Sequence, residues 1–238
     1  MSADQAQLGW VLHRRPWRES SLLIEFFGRE QGRTGLVARA ARSARSPWRG
    51  LAEPFALLSA RWTRRGEMGT LTGLEPAGHR VMLSGRALWC GLYANELIMK
   101  LLARDDPSPE IFEAYALLIE QLGNDQPLAS AVRTFELALL GALGVAPDFT
   151  HDANDGSPID PSARYHLDPE AGFLPVQRDG QAVYAGQTIL ALAGQVEESA
   201  AGALDSRRLM RQLIDHQLAG RPLESRRLFE KPSSPKRS

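Results

Sequence analysis

The sequence predicts an α+β fold, in which a small five-stranded β-barrel at the N-terminal end is followed by an all-helical domain with an irregular insert. Three observations predict it. Apolar residues alternate with a period of two over the first 80 residues, and they recur with a helical period from residue 84 onward. Residues 145–185 are rich in Pro, Gly, Asp and Asn, which is typical of irregular structure. We expect a barrel over residues 1–80, a helical domain over 81–230 and a disordered tail over 231–238.

Five strands are predicted in the first domain, each bounded by turn residues. They cover residues 8–13, 21–27, 33–41, 54–63 and 68–74. Pro16 is expected to end the first strand, since proline cannot donate to a strand ladder. Five short strands suffice for a small barrel, and the oligonucleotide-binding (OB) fold is the common five-stranded barrel among nucleic-acid binders. Periodicity alone does not distinguish it from other small barrels.

Helices are predicted in the remainder of the chain. They cover residues 84–102, 108–122, 129–143, 186–192 and 205–218. Ser84 is a candidate N-cap, and Pro109 suits the first position of the second helix. Asn95 and Glu96 interrupt the apolar first helix, and we interpret them as buried polar residues bonded to nearby backbone, with a ligand-binding role as the alternative. A short hairpin is expected within the insert, at residues 165–167 and 172–176.

Charge is distributed unevenly along the chain. The formal net charge is zero, but residues 1–80 contain 13 Arg against 7 Asp and Glu, and residues 81–238 contain 15 Lys and Arg against 21 acids. Residues 31–52 contain five arginines and no carboxylate. Guanidinium groups without local counter-charges favour external anions and match phosphate with several donors. A basic first third therefore predicts a polyanionic partner, with a solvated loop that binds nothing as the alternative.

We call residues 35–54 the basic segment. Small residues separate its arginines, and it includes one large aromatic residue, which suits a nucleic-acid backbone and its bases. Trp48 either stacks on an unpaired base or closes the barrel, and the sequence leaves both open. The predicted nucleic-acid contacts are Arg14, Arg15, Arg39, Arg42, Arg45, Trp48 and Arg49.

No metal site and no cofactor are predicted. Cys90 is the single cysteine and lies in an apolar helix, so disulfides and cysteine-based zinc sites are excluded. The run from Asp152 to Gly156 in the insert resembles a calcium loop, but Ser157 stands where that loop requires glycine. An enzyme using the acids at 105–113 is an alternative, although acids at a helix start are better explained by capping and the helix dipole. An RNA-binding or ribosome-associated module built on the same barrel is a second alternative, since arginines do not distinguish DNA from RNA.

An ordered set of motifs resembles the RecO family of bacterial DNA repair and recombination mediator proteins over nearly the whole chain. The motifs are Trp10-Val11-Leu12, Glu19-Ser20, Leu36 to Arg42, Glu53-Pro54-Phe55, Arg133 with Phe135 to Leu140, and Pro222-Leu223-Ser225-Arg226-Leu228-Phe229. The resemblance implies an N-terminal OB barrel and a helical C-terminal domain. It also implies binding of single- and double-stranded DNA, strand annealing and no catalysis.

The same resemblance implies two protein partners, RecR and the acidic C-terminal tail of the single-strand-binding protein, through which a recombinase is loaded. We place the tail, as a hypothesis, at Arg133, Leu137 and Leu140, because arginine beside aliphatic residues suits a carboxylate next to an aromatic ring. Many relatives carry a four-cysteine zinc module near 150–185, which this chain lacks, and we expect Tyr165 and Phe173 to hold that region. A cytoplasmic, nucleoid-associated protein is expected, because the start of the chain is polar and no apolar run reaches membrane-spanning length.

Overall fold

The computed structural model of the protein describes residues 6–64, 66–124, 126–176 and 183–230. The chain divides into two compact units, unit 1 with residues 1–138 and 222–238 and unit 2 with residues 139–221. The predicted domain boundary after residue 80 therefore falls inside unit 1, between a barrel and the helices that follow it. The tail expected to be disordered, residues 231–238, lies outside the described residues.

Unit 1 begins with the predicted barrel. Its strands are β1 (Gln7–Trp17), β2 (Ser21–Gly28), β3 (Gly32–Ala38), β4 (Ala56–Arg64) and β5 (Gly69–Arg80). They close in the order β1-β2-β3-β5-β4, with β3 and β5 parallel and the other pairs antiparallel. The five-stranded barrel is confirmed, and this topology is that of the OB fold.

The core of the barrel is formed by apolar residues from all five strands. Ile24, Phe26, Leu36 and Leu58 are almost completely buried inside it, together with Trp62. Each large apolar side chain buried in this way contributes about 1.5–3 kcal/mol to the free energy of folding. Burial alternates along β4, whereas β1 and β2 bury consecutive apolar residues on both faces.

Three strand ends differ from the prediction by three residues or more, and one of them is that of β5, which continues from residue 74 to Arg80. β1 continues through Pro16 to Trp17, because β4 pairs with β1 only as far as Trp10 and leaves one side of the later residues unpaired. A proline is tolerated at such an edge. β3 ends at Ala38 and not at residue 41, because Ala40 adopts a positive φ of 53° and turns the chain.

Three helices complete the N-terminal part of the fold, α1 (Gly85–Leu101), α2 (Pro109–Gly123) and α3 (Leu128–Ala142). Their positions agree with the helical periodicity. Ser84 occupies the N-cap position of α1, but its side chain makes no capping hydrogen bond, so the predicted cap is wrong in that respect.

The buried polar residues of α1 have structural partners, as predicted. Asn95 Nδ2 donates to the backbone carbonyl of Leu12 at 2.8 Å, and the Tyr115 hydroxyl donates to Asn95 Oδ1 at 2.6 Å. Arg33 of β3 is bonded to the end of α1. Its Nη1 donates to the carbonyl of Leu102 at 2.7 Å and also to that of Met99. Its guanidinium group is therefore not available to an external anion.

A C-terminal 3₁₀ helix, Glu224–Phe229, belongs to unit 1 and contacts α1. Glu96 accepts hydrogen bonds from the backbone N–H groups of Glu224 and Ser225 at 2.9 Å and from the Ser225 hydroxyl at 2.6 Å. Burial raises the pKa of Glu96, but the bonds from Ser225, Glu224 and Lys100 outweigh it and leave the pKa below its ordinary value. The ring of Phe229 also packs edge-on against Trp89.

Unit 2 combines a small sheet with two helices. The sheet contains β6 (Arg164–Asp168), β7 (Gly172–Pro175) and β8 (Val183–Ala185) in the order β7-β6-β8, and the helices are α4 (Gly186–Leu192) and α5 (Gly202–Leu218). The predicted hairpin is present as β6 and β7. β8 was not predicted, so the region after the barrel is not all-helical.

Tyr165 and Phe173 are buried in unit 2, as expected for residues that hold the insert. The Tyr165 hydroxyl accepts a hydrogen bond from the backbone N–H of Asp160 at 2.9 Å, and Phe173 packs against Phe149 with their ring centroids 5.5 Å apart. Apolar packing and turn hydrogen bonds thus order this region.

The acids of the insert accept hydrogen bonds within its turns. Asp152 accepts from the backbone N–H groups of Asn154 and Asp155, and Asp160 accepts from that of Ser162. The hydroxyl and backbone N–H of Thr150 lower the pKa of Asp148 to about 2. No group of three or more His, Cys, Asp or Glu residues in the described ranges is placed to hold a metal ion.

Candidate nucleic-acid interface

The β1–β2 turn and the β3–β4 connection meet at one end of the barrel. The strand register places Ala38, at the end of β3, opposite Leu22, near the start of β2. The backbone N–H of Arg42 donates to the carbonyl of Ser20 at 2.8 Å, and its Nη1 donates to the carbonyl of Glu19 at 3.3 Å. The basic segment is therefore bonded to the neighbouring turn and forms one surface with it.

Consecutive tight turns hold the basic segment in place. Backbone N–H groups of residues 43, 46, 49 and 51 donate to the carbonyls of residues 40, 43, 46 and 48, at 3.0, 3.1, 3.3 and 3.1 Å. Ala41 and Ala52 are buried in the barrel core and anchor both ends of this stretch. The small residues permit such close turns, and the long arginine side chains between them remain at the surface.

The arginines of the segment are exposed and lack internal counter-charges. Arg39, Arg42, Arg45 and Arg49 are all exposed. The side chains of three of them, Arg39, Arg45 and Arg49, make no hydrogen bond or ion pair with any residue that the structure describes. Guanidinium groups in this state are available to phosphate oxygens, which they bind through two donors at once.

The two predicted arginines on β1 differ from those of the segment. Arg14 Nη2 lies 2.6 Å from Glu53 Oε1, so its charge is neutralised within the barrel domain. The guanidinium carbon of Arg15 lies 5.7 Å from the centroid of the Trp17 ring, in a cation–π contact. Arg15 keeps its charge, since an aromatic face attracts a cation without neutralising it.

Trp48 lies against the barrel core with Leu51 and is partly buried. Of the two roles that the sequence left open, closing the barrel agrees with this contact.

Arg18 was missed by sequence reasoning, although it belongs to the same surface. It is exposed in the β1–β2 turn, where a positive φ of 51° reverses the chain. Its turn contains Ser20, the residue to which Arg42 is bonded. We use the name basic surface for the side chains of Arg15, Arg18, Arg39, Arg42, Arg45 and Arg49.

Other arginines of unit 1 are paired with acids. Arg29 pairs with Glu113, Arg61 with Glu75, Arg64 with Asp105 and Arg104 with Glu25. The hydrogen bond from Arg64 is the main cause that holds the pKa of Asp105 below its ordinary value. Two of the acids considered for an enzyme, Asp105 and Glu113, therefore serve as counter-charges for arginines.

The residues proposed for the protein tail lie on α3. Arg133 and Leu137 are partly buried, and Leu140 is fully buried. Leu140 therefore lies too deep for direct contact with a partner in this conformation. Arg133 and Leu137 are one helical turn apart and share one side of α3.

The chain matches two family models that together cover nearly all of it. Residues 1–80 match the model described as Recombination protein O N terminal, and residues 82–227 match the one described as Recombination protein O C terminal. The first match covers the barrel, and the second covers the helices and the small sheet.

Similar curated proteins are named DNA repair protein RecO. The chain is 42% identical to the one from Azoarcus sp. strain BH72, with 94% of each chain covered. It is 44% identical to that of Alkalilimnicola ehrlichii, with 96% of this chain and 93% of the relative covered, and 44% identical to that of Pseudomonas aeruginosa, with 96% of each covered. None of the helices in the described part of the chain is long and apolar enough to span a membrane.

Proposed function

The chain belongs to the RecO family of DNA repair proteins, and from this premise we propose that it binds single- and double-stranded DNA through the basic surface and acts without catalysis. One observation carries the proposal. Three exposed arginines on the OB-type barrel, Arg39, Arg45 and Arg49, make no ion pair with any described residue. Such guanidinium groups can bind an anion from outside the molecule, and the phosphates of DNA are anions of this kind.

Phosphate contacts account for the affinity in this proposal. Arg39, Arg42, Arg45 and Arg49 neutralise successive phosphates and release the counterions condensed on the strand. Arg14 is a weaker contact than the sequence alone suggested, because Glu53 already neutralises it. Sequence specificity is not expected, since guanidinium–phosphate contacts position a strand without identifying its bases.

Strand annealing follows from the same electrostatics. Two complementary strands repel each other through their phosphates, and a surface with several unpaired guanidinium groups screens both at once. Individual contacts of this kind are weak and exchange readily, so the strands can shift until their bases are in register. Annealing therefore requires a high density of arginine and no bond chemistry.

We further propose that the protein assists recombinase loading on single strands coated by the single-strand-binding protein, with RecR as its partner. The family membership supports this step, and we assign no residues to the RecR contact. For the acidic tail of the single-strand-binding protein we retain Arg133 and Leu137. The protein is expected to work in the cytoplasm, on the nucleoid.

The test of DNA binding is fluorescence anisotropy of labelled single-stranded DNA over a series of salt concentrations. If four phosphates are neutralised, the logarithm of the affinity falls against the logarithm of the salt concentration with a slope of about −3. A slope near zero would contradict the proposal. Competition with RNA of equal length tests the RNA alternative, and incubation of the DNA with magnesium tests for nuclease activity.

Substitution of Arg133 tests the site for the protein tail. Arg133→Ala is expected to weaken binding of an acidic peptide that ends in Phe by about tenfold, because a hydrogen bond to a charged group contributes roughly 1.5–3 kcal/mol. Titration calorimetry measures this, with Arg211→Ala as a control that removes an exposed arginine of α5. Unchanged affinity in Arg133→Ala would remove the residue from the site.

A further inference from the structure

Trp17 ends β1 at the edge of the basic surface. It is partly exposed, and the guanidinium of Arg15 lies over its ring at 5.7 Å from the ring centroid. Residues two apart on a strand share a face, so Arg15 and Trp17 project from the same side of β1. A partly exposed aromatic ring and an exposed cation thus lie together at the surface.

Other groups of the basic surface surround this pair. Trp17 pairs with Ser21 across the β1–β2 turn, and that turn includes Arg18. Arg42 is bonded to the carbonyls of Glu19 and Ser20 in the same turn. Cations that suit phosphates therefore stand on the turn next to the ring and on the segment bonded to it.

Among the residues that the structure describes, Trp17 does not belong to the apolar core of the barrel. Trp62 is a member of this core and Trp48 packs against it, whereas Trp17 does neither. The rings of Trp10 and Trp89 contact other aromatic rings. Among the described residues, the ring of Trp17 has one such contact, with the guanidinium group of Arg15. β4 leaves β1 after Trp10, so no β4 residue pairs with this end of the strand.

We propose that Trp17 is the platform on which an unpaired base stacks, and that through it single strands bind more tightly than they would to the arginines alone. The inference rests on the DNA binding proposed above and adds the residue that recognises unpaired bases. Aromatic rings stack on any base, and an adjacent guanidinium strengthens the contact through its charge. Bases within a duplex are already stacked on each other, so Trp17 contributes only to single-strand binding, whereas the arginines contribute to both.

Trp17→Ala should lower the affinity for single-stranded DNA about 5- to 150-fold. The affinity for a duplex of the same sequence should stay within about twofold. The slope of affinity against salt should not change, because stacking releases no counterions. Trp17→Phe, which keeps a smaller ring, should lie between Trp17→Ala and the wild-type chain. Anisotropy of labelled DNA over a salt series gives all of these quantities on the full-length chain.

A second readout uses the intrinsic fluorescence of tryptophan. Stacking quenches an indole, so the quenching that single-stranded DNA causes in the wild-type chain should be largely lost in Trp17→Phe, whose fold is checked by circular dichroism. Arg49→Ala is the matched control, because it should reduce the salt slope and weaken single- and double-strand binding together.

Three outcomes would overturn the inference. If the wild-type chain does not bind DNA at low salt, the proposed function is wrong, and this inference is wrong with it. If binding depends on the arginines but Trp17→Ala binds single strands as the wild type does, only the role of Trp17 is wrong. Equal losses for single and double strands with a shallower salt slope would mean that Trp17 merely positions Arg15.

Discussion

Simultaneous replacement of Arg39, Arg45 and Arg49 by alanine is expected to lower the affinity for single-stranded DNA about 100-fold at ~0.1 M salt. Each phosphate contact contributes a factor of about five under those conditions through counterion release. Because these three side chains have no partner among the described residues, their removal leaves no acid unpaired and should not destabilise the fold. The salt slope should become shallower by about 2, which anisotropy over a salt series measures.

The matched control removes three positive charges elsewhere in unit 1. Arg29, Arg61 and Arg227 are exposed, and each is paired with a carboxylate. Their joint replacement by alanine changes the net charge by the same amount but leaves the basic surface intact, so the salt slope should hardly change. If both triple variants lose affinity equally, the effect comes from the overall charge, and the basic surface has no special role.

This contrast explains how a protein of zero net charge can bind a polyanion. The acids and bases of the chain are equal in number at 28 each, but they are not mixed evenly. Arg61 and Arg64 of β4 and Arg104 of the α1–α2 connection are paired with acids, whereas residues 31–52 contain no acidic residue. Screening at physiological salt limits electrostatic reach to about 8 Å, so the local surplus matters more than the total.

Much of the fold could be predicted because it follows from short-range patterns. The period of two identified the strands of the barrel, and the period of 3.6 located α1 to α5 to within a few residues. β8 escaped prediction because it is three residues long, and such a segment carries no usable periodicity. Pro16 was interpreted as a strand end because the sequence does not show that one side of β1 is unpaired there.

The candidate site was less predictable, because pairing between distant residues decides which arginines are free. The sequence alone does not show that Arg33 reaches the carbonyls at the end of α1, or that Arg14 meets Glu53. Arg18 was missed for the converse reason, since only the fold brings its turn against Arg42. Composition located the basic segment, but tertiary contacts determine which arginines remain available to bind phosphate.

Replacement of Asn95 by alanine is expected to cost the largest share of stability among the substitutions considered. A bulge in β1 leaves Leu12 without a partner on β2, and Asn95 Nδ2 donates to the backbone carbonyl that is left over. The same amide accepts from the Tyr115 hydroxyl, which is completely buried. Alanine leaves both buried groups without a hydrogen-bond partner, which lowers the free energy of unfolding by about 2–4 kcal/mol.

For a chain of this size that cost corresponds to a fall in Tm of roughly 5–15 °C, measurable by circular dichroism. Tyr115→Phe is the matched control, since it removes one of the two hydrogen bonds and leaves the Leu12 carbonyl satisfied, so its cost should be about 1 kcal/mol. At temperatures below that of thermal unfolding, the affinity for DNA should be unchanged in both variants, because neither residue lies on the basic surface. A loss in Asn95→Ala no greater than that in Tyr115→Phe would show that the bulge carbonyl finds another partner, and that Asn95 does not hold β1 to α1.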